Sequence, residues 1–402
     1  MKIKPISEQE NTRYREETQG TTHVIHFNNA GSSLPAIPVL NAVTEYLNKE
    51  ALLGGYETEY ASRDEISRVY EVIADLVNAQ PEEIALVENA SAVWCIAFHS
   101  IGFNAGDEVL ISEYEYVTNM IGYLYGEMRY GIKLKVIPND ENGNFSLSNL
   151  EGAITPSTRL IAVTHIASTT GGILPVEKIG NIAARHQILY LVDACQSIGQ
   201  MPVDVQEIQC DFLSVTGRKY LRAPRGTGFL YVRKNKQHLL NPLLIDGHAI
   251  TGISEKGYTL RADAKRFELY EKNRALTLGL CAAVDYVLNI GIDRIWQRIS
   301  YLASYLRDVL QHTEGITVHD TGTHLSGIVT FTIKGHDGPE VKAYLAKNNI
   351  NVSVGLAHST LLYMNRHHLS NVVRASVHYY NTVEEINQFK SILYQLKNSR
   401  YS

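Results

Sequence analysis

An acid and an amine stand at the ends of two apolar runs. Residues 188–192, Ile-Leu-Tyr-Leu-Val, have the apolar, β-rich pattern of a buried strand, and the run delivers Asp193 at its carboxyl end. A second run, 212–215, delivers Thr216-Gly217-Arg218-Lys219, and a third, 228–232, leads away. Open α/β sheets hold their ligands at the carboxyl ends of strands. A lysine there can form a Schiff base, an acid can keep a pyridine nitrogen protonated, and pyridoxal 5'-phosphate needs both. Each residue alone has a plainer reading: Asp193 as a helix N-cap, Lys219 as a solvated charge. The combination Asp193, Gln196, Thr216, Arg218 and Lys219, followed by the glycine-rich RGTGFLYV, favours the cofactor.

This stretch resembles the core of the class V aminotransferase family, which includes the cysteine desulfurases and isopenicillin N epimerase. The likeness runs from about residue 25 to residue 395. It implies that Lys219 carries the cofactor and moves the Cα proton, that Asp193 meets the pyridine nitrogen and Gln196 the ring hydroxyl, and that Thr216 and Arg218 reach the phosphate. It also implies phosphate contacts from Ala90 and Ser91, and a ring stacked on the cofactor from Tyr116, where relatives usually carry histidine. Asn29, Ala30 and Gly31 fall where the family lines its carboxylate pocket. Ser168 and Thr169 stand where relatives have an asparagine, and Arg374, in VRASVHYYNTVEEI, matches the arginine that forks onto the substrate carboxylate. RFELYEKN replaces the relatives' R-F-E-x-G-T loop, which reaches the phosphate of the neighbouring subunit. The resemblance thus implies a homodimer, with Tyr270 as the candidate phosphate contact through its hydroxyl. Desulfurases place a mobile cysteine in the loop that here reads SVGLAHST; His358, a candidate substrate contact, and Ser359 stand in it with no cysteine nearby.

Elements must position these residues. Strand 84–87, the turn Glu88-Asn89-Ala90-Ser91 and a helix through Phe98 form a generic anion site, since free N–H groups and the helix dipole face the ligand. Strands at 108–112 and 160–164 and a helix over 176–186 continue the alternation, which predicts a doubly wound, mainly parallel sheet. Upstream, a helix over 38–51 ends where Gly54-Gly55-Tyr56 interrupts the pattern, and a second spans 64–78 with apolar residues at helical spacing. Downstream lie helices at 276–290, 292–312, 338–347 and 383–396, and strands at 327–333, 350–354 and 372–377. The expected organisation is an α/β protein of pyridoxal-phosphate-dependent fold type I. An arm over 1–30 joins the small domain, a large cofactor domain spans 31–275, and a smaller C-terminal α+β domain spans 276–402.

Composition narrows the functions. The 402 residues can bury a large core, and a formal net charge of −5 without long basic runs argues against nucleic acid as a partner. The N-terminal stretch is polar and no apolar run approaches a membrane span, so no membrane association and a cytoplasmic location are expected. Cys95, Cys195, Cys210 and Cys281 are scattered and read as reduced, buried thiols; no metal-ligand spacing stands out, and the His367-His368 doublet reads as a surface pair. The expected activity is β-elimination on a small cysteine-derived amino acid, a C–S lyase that deprotonates Cα and uses no persulfide cysteine. Transamination or epimerisation of an amino acid is the alternative, and a non-catalytic cofactor-binding protein is the rival of another class.

Overall fold

The computed structural model describes residues 3–398; residues 1–2 of the expected arm and 399–402 of the expected small domain lie outside the described residues. The arm carries α1 (Glu8–Glu16), started by a reciprocal cap between Ser7 and Glu10, and the short strand β1 (Ile25–His26). Next come α2 (Ile37–Leu53), α3 (Gly55–Ala61) and α4 (Arg63–Val77). Gly54-Gly55, read from sequence as an interruption, is instead a joint between helices. Gly54 takes φ 95, a region glycine enters without strain, and α3 begins at the next residue. In α4 the residues Ile66, Val69, Tyr70, Ile73 and Val77 form one buried stripe, as their spacing predicts.

A seven-stranded sheet is the centre of the molecule. Its strands are β2 (Ile84–Val87), β3 (Glu108–Ser112), β4 (Lys133–Ile137), β5 (Thr158–Thr164), β6 (Leu189–Asp193), β7 (Phe212–Thr216) and β8 (Gly228–Val232). Their spatial order is β2-β8-β7-β6-β5-β3-β4. Neighbours are parallel except β8, which runs antiparallel to β7 and β2. Helices α5 (Ala90–His99), α6 (Val117–Tyr130), α7 (Leu147–Ala153), α8 (Val176–Arg185) and α9 (Val205–Ile208) lie in the connections. Along β6, Leu189 and Leu191 enter one hydrophobic cluster, while Tyr190 and Val192 enter the other. Period-two alternation with both faces apolar is what helices covering two sides of a sheet require.

Beyond β8 an exposed hairpin, β9 (Ile250–Ser254) and β10 (Gly257–Leu260), precedes α10 (Arg274–Ile290), which packs on α2 and α4. After Gly291 the chain enters α11 (Ile292–Gln311) and the C-terminal unit. That unit comprises β11 (Ile316–Val318), β12 (Ile328–Ile333), α12 (Gly338–Lys347), β13 (Ile350–Asn351), β14 (Ser353–Leu356), α13 (Leu361–Arg366), β15 (Asn371–Ser376) and α14 (Val383–Asn398). Its antiparallel sheet has the order β11-β12-β15-β14. β13 pairs in parallel with β1, and Asn28 bridges to Ser376, so the arm is stitched to the C-terminal unit. Among the described residues no single helix is long and apolar enough to cross a membrane.

Candidate active site

The parallel strands β3, β5, β6 and β7 end at Ser112, Thr164, Asp193 and Thr216. Outside these ends lies a cleft, flanked on the far side by Arg374 of β15 and by Ala30 and Gly31 after β1. Of the residues named from sequence, it gathers Ala30, Gly31, Ala90, Ser91, Tyr116, Ser168, Asp193, Gln196, Thr216, Arg218, Lys219 and Arg374. They come from the connections of the central sheet, from β15 and from the turn after β1.

Asp193 closes β6 with its carboxylate held from two sides: Oδ1 accepts from the Cys195 N–H at 2.9 Å, and Oδ2 accepts from Asn119 Nδ2 at 3.0 Å. Lys219 follows β7 and opens onto the cleft, its Nζ 5.9 Å from the centre of the Tyr116 ring. Burial pushes its amine down to about 8; Arg218 and Arg374 add to this, and Asp193 opposes it. Loss of hydration is the largest cause, ahead of the neighbouring guanidinium groups. Tyr116 caps α6, and Ala90 and Ser91 begin α5. Because the Asn89 side chain serves the Ala92 N–H at 3.0 Å, the first N–H groups of α5 remain available to a ligand.

Buried polar atoms without partners point to what the cleft receives. Gln196 donates to the Ala30 carbonyl at 3.2 Å while its Oε1 has no partner, and Ser168 Oγ is likewise unmet. Arg374, on β15, spends Nη1 on the Ser168 carbonyl at 3.1 Å, and its Nε has no partner. Buried groups of this kind are normally satisfied, so the cleft is built for polar ligands. An acid, a depressed amine, a helix N-terminus and two guanidinium groups fit a cofactor with a ring nitrogen and a phosphate, together with an amino acid's carboxylate.

Four residues named from sequence stand elsewhere. Asn29 is buried and consumed: Nδ2 donates to the carbonyls of Ser376 at 2.7 Å and His26 at 3.1 Å, and Oδ1 accepts from the Tyr380 hydroxyl. It braces the turn that presents Ala30 and Gly31. Thr169 is buried with its hydroxyl on Thr360 at 2.6 Å, which ties the 165–172 loop to the segment before α13. His358 is exposed in the turn after β14 and does not line the cleft. Tyr270 faces outward, 54% exposed, its backbone N–H on Asp246. The cysteines also depart from a uniform reading, since Cys95 is only half-buried and Cys195 lines the cleft.

Sequence reasoning missed Asn119 and Thr118, which line the cleft from the first turn of α6. Asn119 lies three residues beyond Tyr116, one turn along the same helix face, a spacing that carries information only once α6 is recognised as a helix.

The family described as Aminotransferase class-V matches residues 25–389. A "Probable cysteine desulfurase" of Methanothermobacter thermautotrophicus is 34% identical over 365 residues, 89% of this chain and 91% of that protein. The apo structure of a cysteine desulfurase from Thermococcus onnurineus NA1 superposes with a TM-score of 0.91 at 30% identity, covering 99% of this chain and 100% of its own. At the level of fold, the cystine C-S lyase C-DES superposes with a TM-score of 0.85 at 24% identity, covering 94% of this chain and 98% of its own.

Proposed function

The chain belongs to the class V aminotransferase family and is a pyridoxal-phosphate-dependent enzyme; from that premise we propose that it cleaves a C–S bond of a small cysteine-derived amino acid by β-elimination, without a persulfide cysteine. The cofactor, when bound, supplies an electron sink conjugated to Cα. In this reading the chain's residues do the rest. Arg374 holds the substrate carboxylate, Lys219 takes the Cα proton, and Asp193 keeps the ring nitrogen protonated. Gln196 serves the ring hydroxyl, Tyr116 covers the ring, and Ala90, Ser91, Thr216 and Arg218 hold the phosphate. As the Cα–H bond gives up its proton, the Cβ–S bond breaks and the sulfur leaves with the bonding pair.

The observation that carries this reading is the segment from β14 through α13, which contains no thiol. It is also anchored: Arg366 pairs with Glu113, and the Tyr363 ring lies 5.4 Å from that of Tyr114. A persulfide carrier needs an exposed, ionisable thiol. Burial instead raises all four cysteine thiols, Cys95, Cys195, Cys210 and Cys281, the last to about 11. Cys195 is the thiol nearest the chemistry, and its Sγ lies 3.7 Å from the Ser214 carbonyl.

The names of the relatives favour a second reading, a desulfurase that passes sulfur to one of its own cysteines. Intact-mass analysis after turnover separates the two. We expect no sulfur adduct, and sulfide or a small thiol in solution. An adduct of about 32 Da on any of the four cysteines, with activity lost on its change to serine, decides for the desulfurase.

We further propose that the protein works as a homodimer. In its support, α6 exposes Ile121, Leu124, Tyr125 and Met128 at helical spacing along one face, and Leu243, Leu244 and Ile245 are also exposed. Sedimentation at micromolar concentration should give twice the chain mass; a single-chain mass throughout that range refutes it.

A further inference from the structure

Glu115 is a buried acid that the proposed reaction does not use. It sits between β3 and α6, 3% exposed, and its partners are neutral donors. Oε1 accepts from Ser112 Oγ at 2.6 Å and from the Thr164 N–H at 3.0 Å; Oε2 accepts from the Tyr123 hydroxyl at 3.1 Å and, more distantly, from Asn119 Nδ2 at 3.4 Å. The same Asn119 nitrogen donates to Asp193 Oδ2 at 3.0 Å. One amide group therefore bridges two carboxyl groups with its two hydrogens.

An asparagine amide can present either its oxygen or its nitrogen, and here its neighbours decide which. An ionised carboxylate only accepts, so Glu115 on one side obliges Asn119 to turn its NH₂ inward, and the same NH₂ then meets Asp193. As anchorage alone this arrangement is costly, because a buried carboxyl without a cation loses hydration that neutral donors replace only in part. That loss pushes the Glu115 carboxyl up to about 7, and Asp193, at the end of β6, adds to the push. The other ionisable groups facing it are Tyr123 on α6 and Tyr190 on β6. An acid kept in so unfavourable a place is explained if its charge and acceptor character act on Asp193.

We propose that Glu115 and Asn119 are positioning residues that orient the Asp193 carboxylate and strengthen its hold on the cofactor's ring nitrogen. Asn119 on Oδ2 and the Cys195 N–H on Oδ1 fix the plane of the carboxylate, so its remaining lone pairs point in one direction. In its ionised form Glu115 adds negative charge beside Asp193 and makes it a better partner for a protonated ring, and in either form its oxygen accepts from Asn119. Glu115 also ties the ends of β3 and β5 to the first turn of α6, the turn that starts at Tyr116.

The inference rests on the role given to Asp193, and the test separates the two. Holoenzyme is prepared with Asp193→Asn, Asn119→Ala, Glu115→Gln and the last two combined. The cofactor dissociation constant, the pH midpoint of the visible absorption band and the thermal midpoint are measured for each. Asn119→Ala is expected to weaken cofactor binding about tenfold and to move the band's midpoint, since a donor to a charged group is lost. Glu115→Gln removes the charge and must set its NH₂ against either Asn119 or the Thr164 N–H, so it should give a change of the same direction, and the double variant should fall short of the sum. If Asp193→Asn moves affinity and band while Asn119→Ala changes neither, the relay is wrong and the Asp193 assignment survives. If Asp193→Asn also changes neither, the assignment itself fails. A lower thermal midpoint in Asn119→Ala with both cofactor readouts unchanged marks the network as structural and overturns the proposal. Should Glu115→Gln not fold, Asn119→Ala decides alone.

Discussion

Lys219→Ala is expected to leave no cofactor that borohydride can fix to the chain and to lower turnover by roughly 10²–10⁴-fold or more, the span usual for removing a positioned base. The same substitution should alter the pH dependence of the cofactor-free protein, and the sign can be worked out. Burial holds the Lys219 amine down to about 8 in the folded chain, below its ordinary value of 10.5, so between these two values the unfolded chain binds the extra proton. The unfolding free energy of the wild type therefore carries a contribution that rises with pH from about 8 to 10.5. Below that window the buried cation costs roughly 2–3 kcal/mol, less where water in the cleft screens it. Lys219→Ala should lack this rise and should be the more stable protein at pH 7. Chemical unfolding of both cofactor-free proteins at pH 7 and pH 10 measures it. Parallel pH curves would place Lys219 in open solvent, and a fixable cofactor retained by the variant would move the Schiff-base lysine elsewhere.

The strands that build the cleft were legible because their sequence pattern and their burial coincide. β6, β7 and β8 are short apolar runs buried along their whole length, and their ends, where Asp193 and Thr216 stand, fall within a residue of those read from the chain. β4 and α6 were not legible, for two different reasons. β4 is an edge strand whose Lys133 is exposed and whose burial does not alternate. α6 buries Met120 and Tyr123 while exposing Ile121, Leu124, Tyr125 and Met128, so apolar residues surround the helix and no single stripe marks it. With α6 unseen, Asn119 could not be placed beside Tyr116.

At the site, the ionisable groups at strand ends reached the cleft, while the residues named from loop position divided: Ala30, Gly31, Ala90, Ser91 and Ser168 line it, and Asn29, Thr169, His358 and Tyr270 do not. Asp193, Lys219 and Arg374 are ionisable groups fixed on strands or just beyond them. Asn29, Thr169 and His358 lie in connections whose direction depends on partners far along the chain, such as Tyr380, Ser376 and Thr360. Sequence spacing carries no record of those partners, and a shift of one residue in a loop turns a side chain from ligand to brace.

Arg374→Ala should weaken amino-acid binding far more than cofactor binding. The guanidinium projects from β15, where its backbone pairs with Thr330 on β12 and Ser353 on β14, so the base of the side chain is fixed by two neighbouring strands. One nitrogen is committed to the Ser168 carbonyl, while the unpartnered Nε leaves donor capacity for a bidentate carboxylate. Burial lowers the guanidinium's proton affinity, but arginine keeps its charge at any working pH, so the fork meets a substrate as a cation already stripped of water. Losing such a partner costs about 2–5 kcal/mol, or roughly 30- to 5,000-fold in affinity. Arg374→Lys should recover only a part, since an ammonium cannot span both carboxylate oxygens in one plane. Cofactor affinity should stay within a few-fold, because ring nitrogen, hydroxyl and phosphate are assigned to other residues. Titration of holoenzyme with substrate, beside cofactor titration of the apoprotein, measures both quantities. Equal losses in the two would mean that Arg374 braces the cleft through Ser168 instead of receiving the substrate.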